Sequence, residues 1–236
     1  MEIVLIHGFR GNHLGFRDVA KFLRKAGFSV YVPDLPPAGK YPLAKYDAEH
    51  YAKWVADYIL EKKLNRPVVI GHSMGSIIAA ATAEKYPEII NQKIIFLAPI
   101  STRPARIFSF LAPGVIFLPN SLISYITTRF LIVKKGRSFF KKTVELTRQC
   151  AAQYTSRLDV AKAAFFSANH AISDFSFKRD AYFLDGETDR LSSQQATLTV
   201  AAKYSGKAEF IPNAGHLLNY EVPEQVAQKI ADFINA

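Results

Sequence analysis

Gly71-His72-Ser73-Met74-Gly75 places one hydroxyl between two glycines, with a single residue spacing it from each. An apolar run, residues 67–70, precedes it and an alanine-rich stretch, residues 74–86, follows. A serine hydroxyl is a weak nucleophile. It needs a neighbouring base, a clear path to its substrate, and backbone N–H groups aimed at the oxygen that turns negative. A very sharp strand-to-helix turn supplies the path and an N–H, at the cost of strained φ/ψ and of small neighbours that let helix and strand approach. Gly71 and Gly75 meet that demand, and Ala79 and Ala80 keep the helix slim. The stretch reads as G-x-S-x-G in its required strand–turn–helix setting, with Ser73 the candidate nucleophile. The competing reading is a structural Gly–Ser turn.

Such a turn needs a frame. Short runs rich in Val, Ile and Phe at residues 2–6, 28–32, 67–70, 93–98, 181–185 and 208–211 read as strands buried on both faces. Helical stretches at 14–26, 47–63, 74–86, 192–204 and 223–234 alternate with them. Strand–helix alternation predicts right-handed βαβ units, hence the α/β class: a three-layer α/β/α sandwich around a mostly parallel sheet of about six strands. The rhythm breaks between residues 100 and 180. There Phe140, Val144, Thr147, Ala151, Tyr154, Leu158, Ala161 and Phe165 fall at alternating spacings of four and three, which predicts one face of a helix or of two consecutive helices. The expected organisation is a core of residues 1–100 and 180–236, interrupted by a helical lid at 101–179.

Three more segments follow predicted strands. Ile6-His7-Gly8-Phe9-Arg10-Gly11 comes after the first, Leu184-Asp185-Gly186-Glu187-Thr188-Asp189 after the fifth, and Asn213-Ala214-Gly215-His216 after the sixth, with Glu221-Val222-Pro223 opening a last helix. With the serine turn, these motifs resemble those of the α/β-hydrolase family over nearly the whole chain apart from the lid. The order Ser…Asp…His is the one expected for that fold, and ligands of open α/β sheets bind along the carboxyl edge where all four segments lie. The resemblance implies roles. Ser73 is the nucleophile, His216 the general base, Asp189 the acid that orients the imidazole, and the backbone N–H groups of Phe9 and Met74 form the oxyanion hole. It also implies no cofactor, and no histidine–carboxylate spacing suggests a metal.

Asp185, and more remotely Asp34, stay open as the acid. His7 is expected to order the oxyanion loop and His72 to fill the elbow. His13, His50 and His170 are expected at the surface or in packing, and Cys150 on the lid's apolar stripe. The chain also departs from the family. It lacks the two leading strands common in larger members. Asp34-Leu35-Pro36-Pro37-Ala38-Gly39-Lys40 stands where relatives often show D-x-x-G-x-G, and Ser76 where many lipase-like relatives carry glycine.

Residues 107–128 are uncharged, which raises the question of a membrane span, but Pro113-Gly114 and Pro119-Asn120 break the run. Phe108, Phe110 and Phe117 within it are expected to face the substrate, implying an apolar acyl or alkyl group. Net charge is +10, and residues 101–170 hold eleven Lys/Arg against Glu145 and Asp159. That asymmetry suits an anionic membrane surface, or an anionic carrier such as coenzyme A. The cations alternate with aliphatics and form no aromatic stacking platform, so nucleic acid is not expected. One cysteine excludes an internal disulfide and the start MEIVLIHGF has no basic leader; together they suggest a cytoplasmic protein, with peripheral membrane contact left open. The leading expectation is hydrolysis of hydrophobic small-molecule carboxylic esters through an acyl-enzyme. A thioesterase, a C–C bond hydrolase or perhydrolase on the same triad, and a non-catalytic small-ligand-binding protein of this fold stay open, because all share these motifs.

Overall fold

Strands β1 (Glu2–Ile6), β2 (Ser29–Tyr31), β3 (Val68–His72), β4 (Lys93–Leu97), β5 (Asp180–Gly186) and β6 (Lys207–Ile211) form one sheet in the order β2-β1-β3-β4-β5-β6. Every pairing is parallel. The computed structural model describes residues 1–38, 42–103, 114, 118–133, 136–154 and 156–236.

Because side chains alternate across a strand, a sheet covered on both faces needs apolar residues at consecutive positions. Val4, Ile6, Val69, Ile94, Phe96 and Phe183 enter one core with α2 (Ala48–Glu61), α3 (Met74–Lys85) and α7 (Gln194–Lys203). Ile3, Leu5, Val68, Ile70, Ile95 and Leu184 enter the other with α1 (Arg17–Lys25) and α9 (Pro223–Asn235). The expected three-layer arrangement is the observed one. Local chemistry sets the helix starts: Asp47 accepts from the His50 N–H ahead of α2, and Ser193 from the Ala196 N–H ahead of α7.

Boundaries differ from expectation in instructive places. β3 runs on through Gly71 and His72, because the ladder to β1 and β4 continues up to the turn. The first expected helix divides into a 3-10 turn at His13–Phe16 and α1. A one-turn helix, α8 (Leu218–Glu221), precedes α9.

Between β4 and β5 the described residues form α4 (Asn120–Leu131), α5 (Arg137–Ala152) and α6 (Arg157–Asn169). The eight-residue stripe does not continue across the α5–α6 junction. Ala151 and Ala161 are buried, but Leu158 and Phe165 are 64% and 54% exposed. The turn after α5 resets the helical phase, so α6 buries Val160, Ala163, Ala164 and Phe166 instead.

The tightest passage lies where β3 becomes α3. A Cβ on Gly71 would strike the Gly75 carbonyl, and one on Gly75 would strike the Ile6 carbonyl of β1. These are backbone obstacles, which cannot rotate away. Gly75→Ala is therefore expected to lower unfolding free energy by at least about 2 kcal/mol in urea titrations. Gly136→Ala, whose new Cβ meets open space, should leave the unfolding free energy within about 0.5 kcal/mol.

Candidate active site

Ser73 caps α3 with φ 54° and ψ −121°, a region that costs a non-glycine residue about 1–3 kcal/mol. Its N–H donates to the Leu97 carbonyl of β4 (3.0 Å). Ser76, fully buried, donates its hydroxyl to the Ser73 carbonyl (2.5 Å) and accepts the Ile100 N–H (3.1 Å). This hydroxyl thus staples the turn to the loop that follows β4.

Facing the Ser73 hydroxyl is the His216 imidazole, with Nε2 2.8 Å from Oγ and Nδ1 2.7 Å from Asp189 Oδ2. Both His216 and Asp189 side chains are nearly inaccessible, 2% and 1% exposed. The structure thus brings together Ser73, Asp189 and His216 from three strand ends. Asp34 lies elsewhere, pairing with His13 (2.9 Å).

The His216 loop is held from two sides. His72 Nε2 donates to the His216 carbonyl (2.9 Å), and burial with the neighbouring imidazole pushes the His72 pKa down to about 3, so the ring is neutral. The Glu221 carboxyl accepts the Gly215 N–H (2.9 Å) with one oxygen and the Val133 N–H, just past α4, with the other (2.7 Å). Sequence reasoning treated His72 as filler and gave Glu221 no role. Only the long-range fold sets their partners.

Asp189 Oδ1 accepts the N–H groups of Leu191 (2.7 Å) and Ser192 (3.3 Å). Burial alone would raise this carboxyl's pKa, but His216, the Leu191 N–H and Asp185 together hold it down to about 2. Asp185 goes the other way. It is 1% exposed, and burial beside the Asp189 charge pushes it up to about 9. It accepts the Gly186 N–H (2.8 Å), lies 3.2 Å from the Thr197 hydroxyl, and hydrogen-bonds Asp189. At neutral pH it is a protonated donor to the acid, a role distinct from the alternative acid left open on sequence.

Gly8 brings the loop after β1 onto the serine: a Cβ there would lie 2.9 Å from Ser73 Cβ. His7 Nε2 accepts the Leu35 N–H (2.9 Å), so Nδ1 carries the proton and donates to the Gly8 carbonyl (2.9 Å). Burial lowers its pKa to about 4. Among the described residues, neither the Phe9 nor the Met74 N–H donates to a protein acceptor. The Tyr154 hydroxyl donates to the Gly11 carbonyl (2.6 Å), anchoring this loop to the α5–α6 junction.

A cavity of about 640 Å³ opens beside Ser73. Its wall is mostly apolar and includes Phe9, Phe16, Ile100, Ile123, Phe130 and Leu217. Phe108, Phe110 and Phe117, the expected substrate contacts, lie outside the described residues; α4 and α6 supply lining residues here. Cys150 is buried and its thiol pushed up to about 11 by that burial, which leaves it unreactive. His50 pairs with the α2 cap Asp47 (2.7 Å), and His170 donates to the Phe166 carbonyl (3.0 Å).

Comparison with known proteins places this arrangement. The sequence model of the alpha/beta hydrolase family matches residues 3–229. A pyrethroid hydrolase of Sphingobium wenxiniae is 26% identical over 253 residues, spanning 100% of this chain and 88% of the relative. Among solved structures, an esterase from Thermogutta terrifontis superposes with a TM-score of 0.83 at 24% identity, covering 100% of this chain and 89% of its own. An esterase from Exiguobacterium antarcticum gives 0.87 at 15% identity, with 100% and 92% covered. At these identities the structural likenesses speak for the fold.

The Asp185 carboxyl generates a prediction. Between its ordinary 3.8 and about 9 the folded state holds a proton that the unfolded chain has released. Its contribution to stability is therefore whole below pH 3.8 and is lost as pH climbs towards 9, at up to about 1.4 kcal/mol per pH unit. Asp185→Asn keeps the shape and a donor towards Asp189 but removes that loss. Unfolding free energies measured from pH 4 to pH 9 should diverge with rising pH in favour of the variant; parallel curves would mean that Asp185 is ionised in the fold.

Proposed function

As the chain belongs to the alpha/beta hydrolase family, we propose that it hydrolyses carboxylic esters with a hydrophobic acyl or alkyl group through a Ser73–His216–Asp189 triad. The observation that carries this reading is the unbroken hydrogen-bonded path from the Ser73 hydroxyl to the Asp189 carboxylate, at 2.8 and 2.7 Å. The curated relative named as a pyrethroid hydrolase supports hydrolysis as the reaction class.

In this mechanism Ser73 Oγ attacks the ester carbonyl carbon while His216 Nε2 takes its proton. Asp189 holds the Nδ1–H tautomer and stabilises the imidazolium. The carbonyl oxygen gathers negative charge against the unclaimed N–H groups of Phe9 and Met74, each worth about 2.7–4 kcal/mol in comparable sites. His216 then protonates the departing alcohol, leaving an acyl-enzyme. Water then attacks the acyl carbon as His216 takes its proton; the bond from the acyl carbon to Ser73 Oγ breaks, the carboxylic acid departs, and His216 returns the proton to Ser73. His7 and His72, both neutral, hold backbone and take no proton.

Helices α4 and α6 serve as the lid over the cavity, with Ile123, Thr127 and Phe130 of α4 presented to the substrate. The other side of α4 supports a second feature. Leu122, Tyr125 and Ile126, with Leu118 just ahead of the helix, are 43–52% exposed, with the exposed cations Arg129, Arg137, Lys141 and Lys142 close in sequence. No described helix is long and apolar enough to cross a membrane. An exposed apolar face beside cations instead suits reversible docking on an anionic lipid surface.

Ser73→Ala should abolish covalent capture of a fluorophosphonate and lower kcat on p-nitrophenyl esters at least about 10³-fold. Labelling that persists in the variant would end the proposal, and turnover of no ester at any chain length would favour another triad reaction. Co-sedimentation with anionic vesicles should fall with added salt and with Ile126→Asp; equal recovery on neutral vesicles would exclude electrostatic docking.

A further inference from the structure

The cavity beside Ser73 has a one-signed wall. Its charged lining consists of Arg10 and Arg190, and among the described residues no Asp or Glu contributes to it. Arg10 follows Phe9 in the loop that Gly8 brings onto the serine. Its backbone sits in the left-handed region (φ 58°), inside a turn closed by the Gly11 N–H on the Gly8 carbonyl (3.0 Å). Glycine or asparagine takes such a position with less strain, so the turn keeps a long cation where a small residue would sit more easily.

The guanidinium has five N–H donors. One hydrogen bond is satisfied by Asn120 Oδ1 (3.0 Å). No carboxylate among the described residues forms an ion pair with Arg10, and the stretches outside them contain neither Asp nor Glu. Burial lowers its pKa below the ordinary 12.5. Arg10 is half-buried, and a cation that has given up part of its water without gaining a counter-charge is costly to hold. A negatively charged group on a ligand would satisfy both the charge and the free donors.

Arg190 is placed differently. It is exposed, lies over the Phe130 ring (5.6 Å) and donates to the Phe130 carbonyl (3.4 Å). Asn120 and Phe130 are ten residues apart on α4, roughly 15 Å along its axis. The two cations therefore cannot grip one small anion together, and Arg10 is the one that lines the mostly apolar chamber from the loop beside Ser73.

Resting on the ester-hydrolase reading, we infer that Arg10 is an anion-binding group of the substrate site, so that the enzyme prefers esters or thioesters bearing a carboxylate or phosphate over neutral ones of equal length. The anion can come from the acyl side or from the leaving group, and two matched substrate pairs separate these sources. Mono-p-nitrophenyl adipate against p-nitrophenyl hexanoate reads the acyl side. Hexanoyl-coenzyme A against hexanoyl-N-acetylcysteamine reads the leaving-group side.

The quantity measured is the anionic-to-neutral ratio of kcat/KM at fixed ionic strength, which cancels general damage to the loop. In at least one pair the ratio should exceed one in the wild type, fall about tenfold or more in Arg10→Gln, and recover in part in Arg10→Lys. Ratios that Arg10→Gln leaves unmoved would overturn the inference. So would an equal fall in Arg190→Gln, which would reveal diffuse charge rather than a site. Binding to Ser73→Ala protein decides the matter without turnover: octanoate should bind more tightly than octanol, and the added Arg10→Gln change should erase the difference. If no ester is hydrolysed yet that difference stands, the ester reading fails and the anion site survives. If esters are hydrolysed and the difference is absent, the reverse holds.

Discussion

Helix α3 rests its first turn directly on the backbone of β1, with Gly75 against the Ile6 carbonyl, and the rest of the site depends on that contact. It fixes where the helix can begin. Ser73 must then turn from strand to helix in one residue, which forces its positive φ and lifts its hydroxyl off the sheet. The same geometry leaves the Met74 N–H an orphan of the first helical turn, with no acceptor among the described residues. Gly8 repeats the device from the neighbouring strand, bringing the loop after β1 against Ser73. Strain at one residue is sustained by two absent side chains and by the Ser76 hydroxyl.

The electrostatics follow from burial. Two carboxyls lie four residues apart in a nearly dry pocket, and only one can ionise cheaply. Asp189 has the imidazole and backbone N–H groups, so it takes the charge; Asp185 has a hydroxyl and one N–H, so it keeps its proton. His7 and His72 are neutral for the same reason. The His216 imidazole thus faces a single negative charge rather than a diffuse field.

Much of this frame was legible in the sequence because it rests on local patterns. Apolar runs such as Ile3–Ile6 and Ile94–Leu97 can only be doubly covered strands, and the glycine spacing around Ser73 has few other uses. What stayed hidden is long-range. The carboxyl of Glu221 and the ring of His72 find their partners only when distant strand ends converge. The end of β3 was misplaced because Gly71 and His72 are poor strand formers, and the ladder to two neighbours overrides that preference. The stripe from Phe140 to Phe165 misled for the opposite reason: a regular spacing in sequence means nothing once a turn interrupts the helix, and Leu158 and Phe165 end up in solvent.

The carboxyl of Glu221 holds Gly215 and Val133 at once, one oxygen to each. It is a yoke between the roof of the chamber and the base beneath it. Any hinge movement that swings Val133 outward either breaks that yoke or drags the imidazole's own loop along. The position of Val133 and the position of the His216 loop are therefore set by one side chain, so a substitution of Glu221 loosens both together.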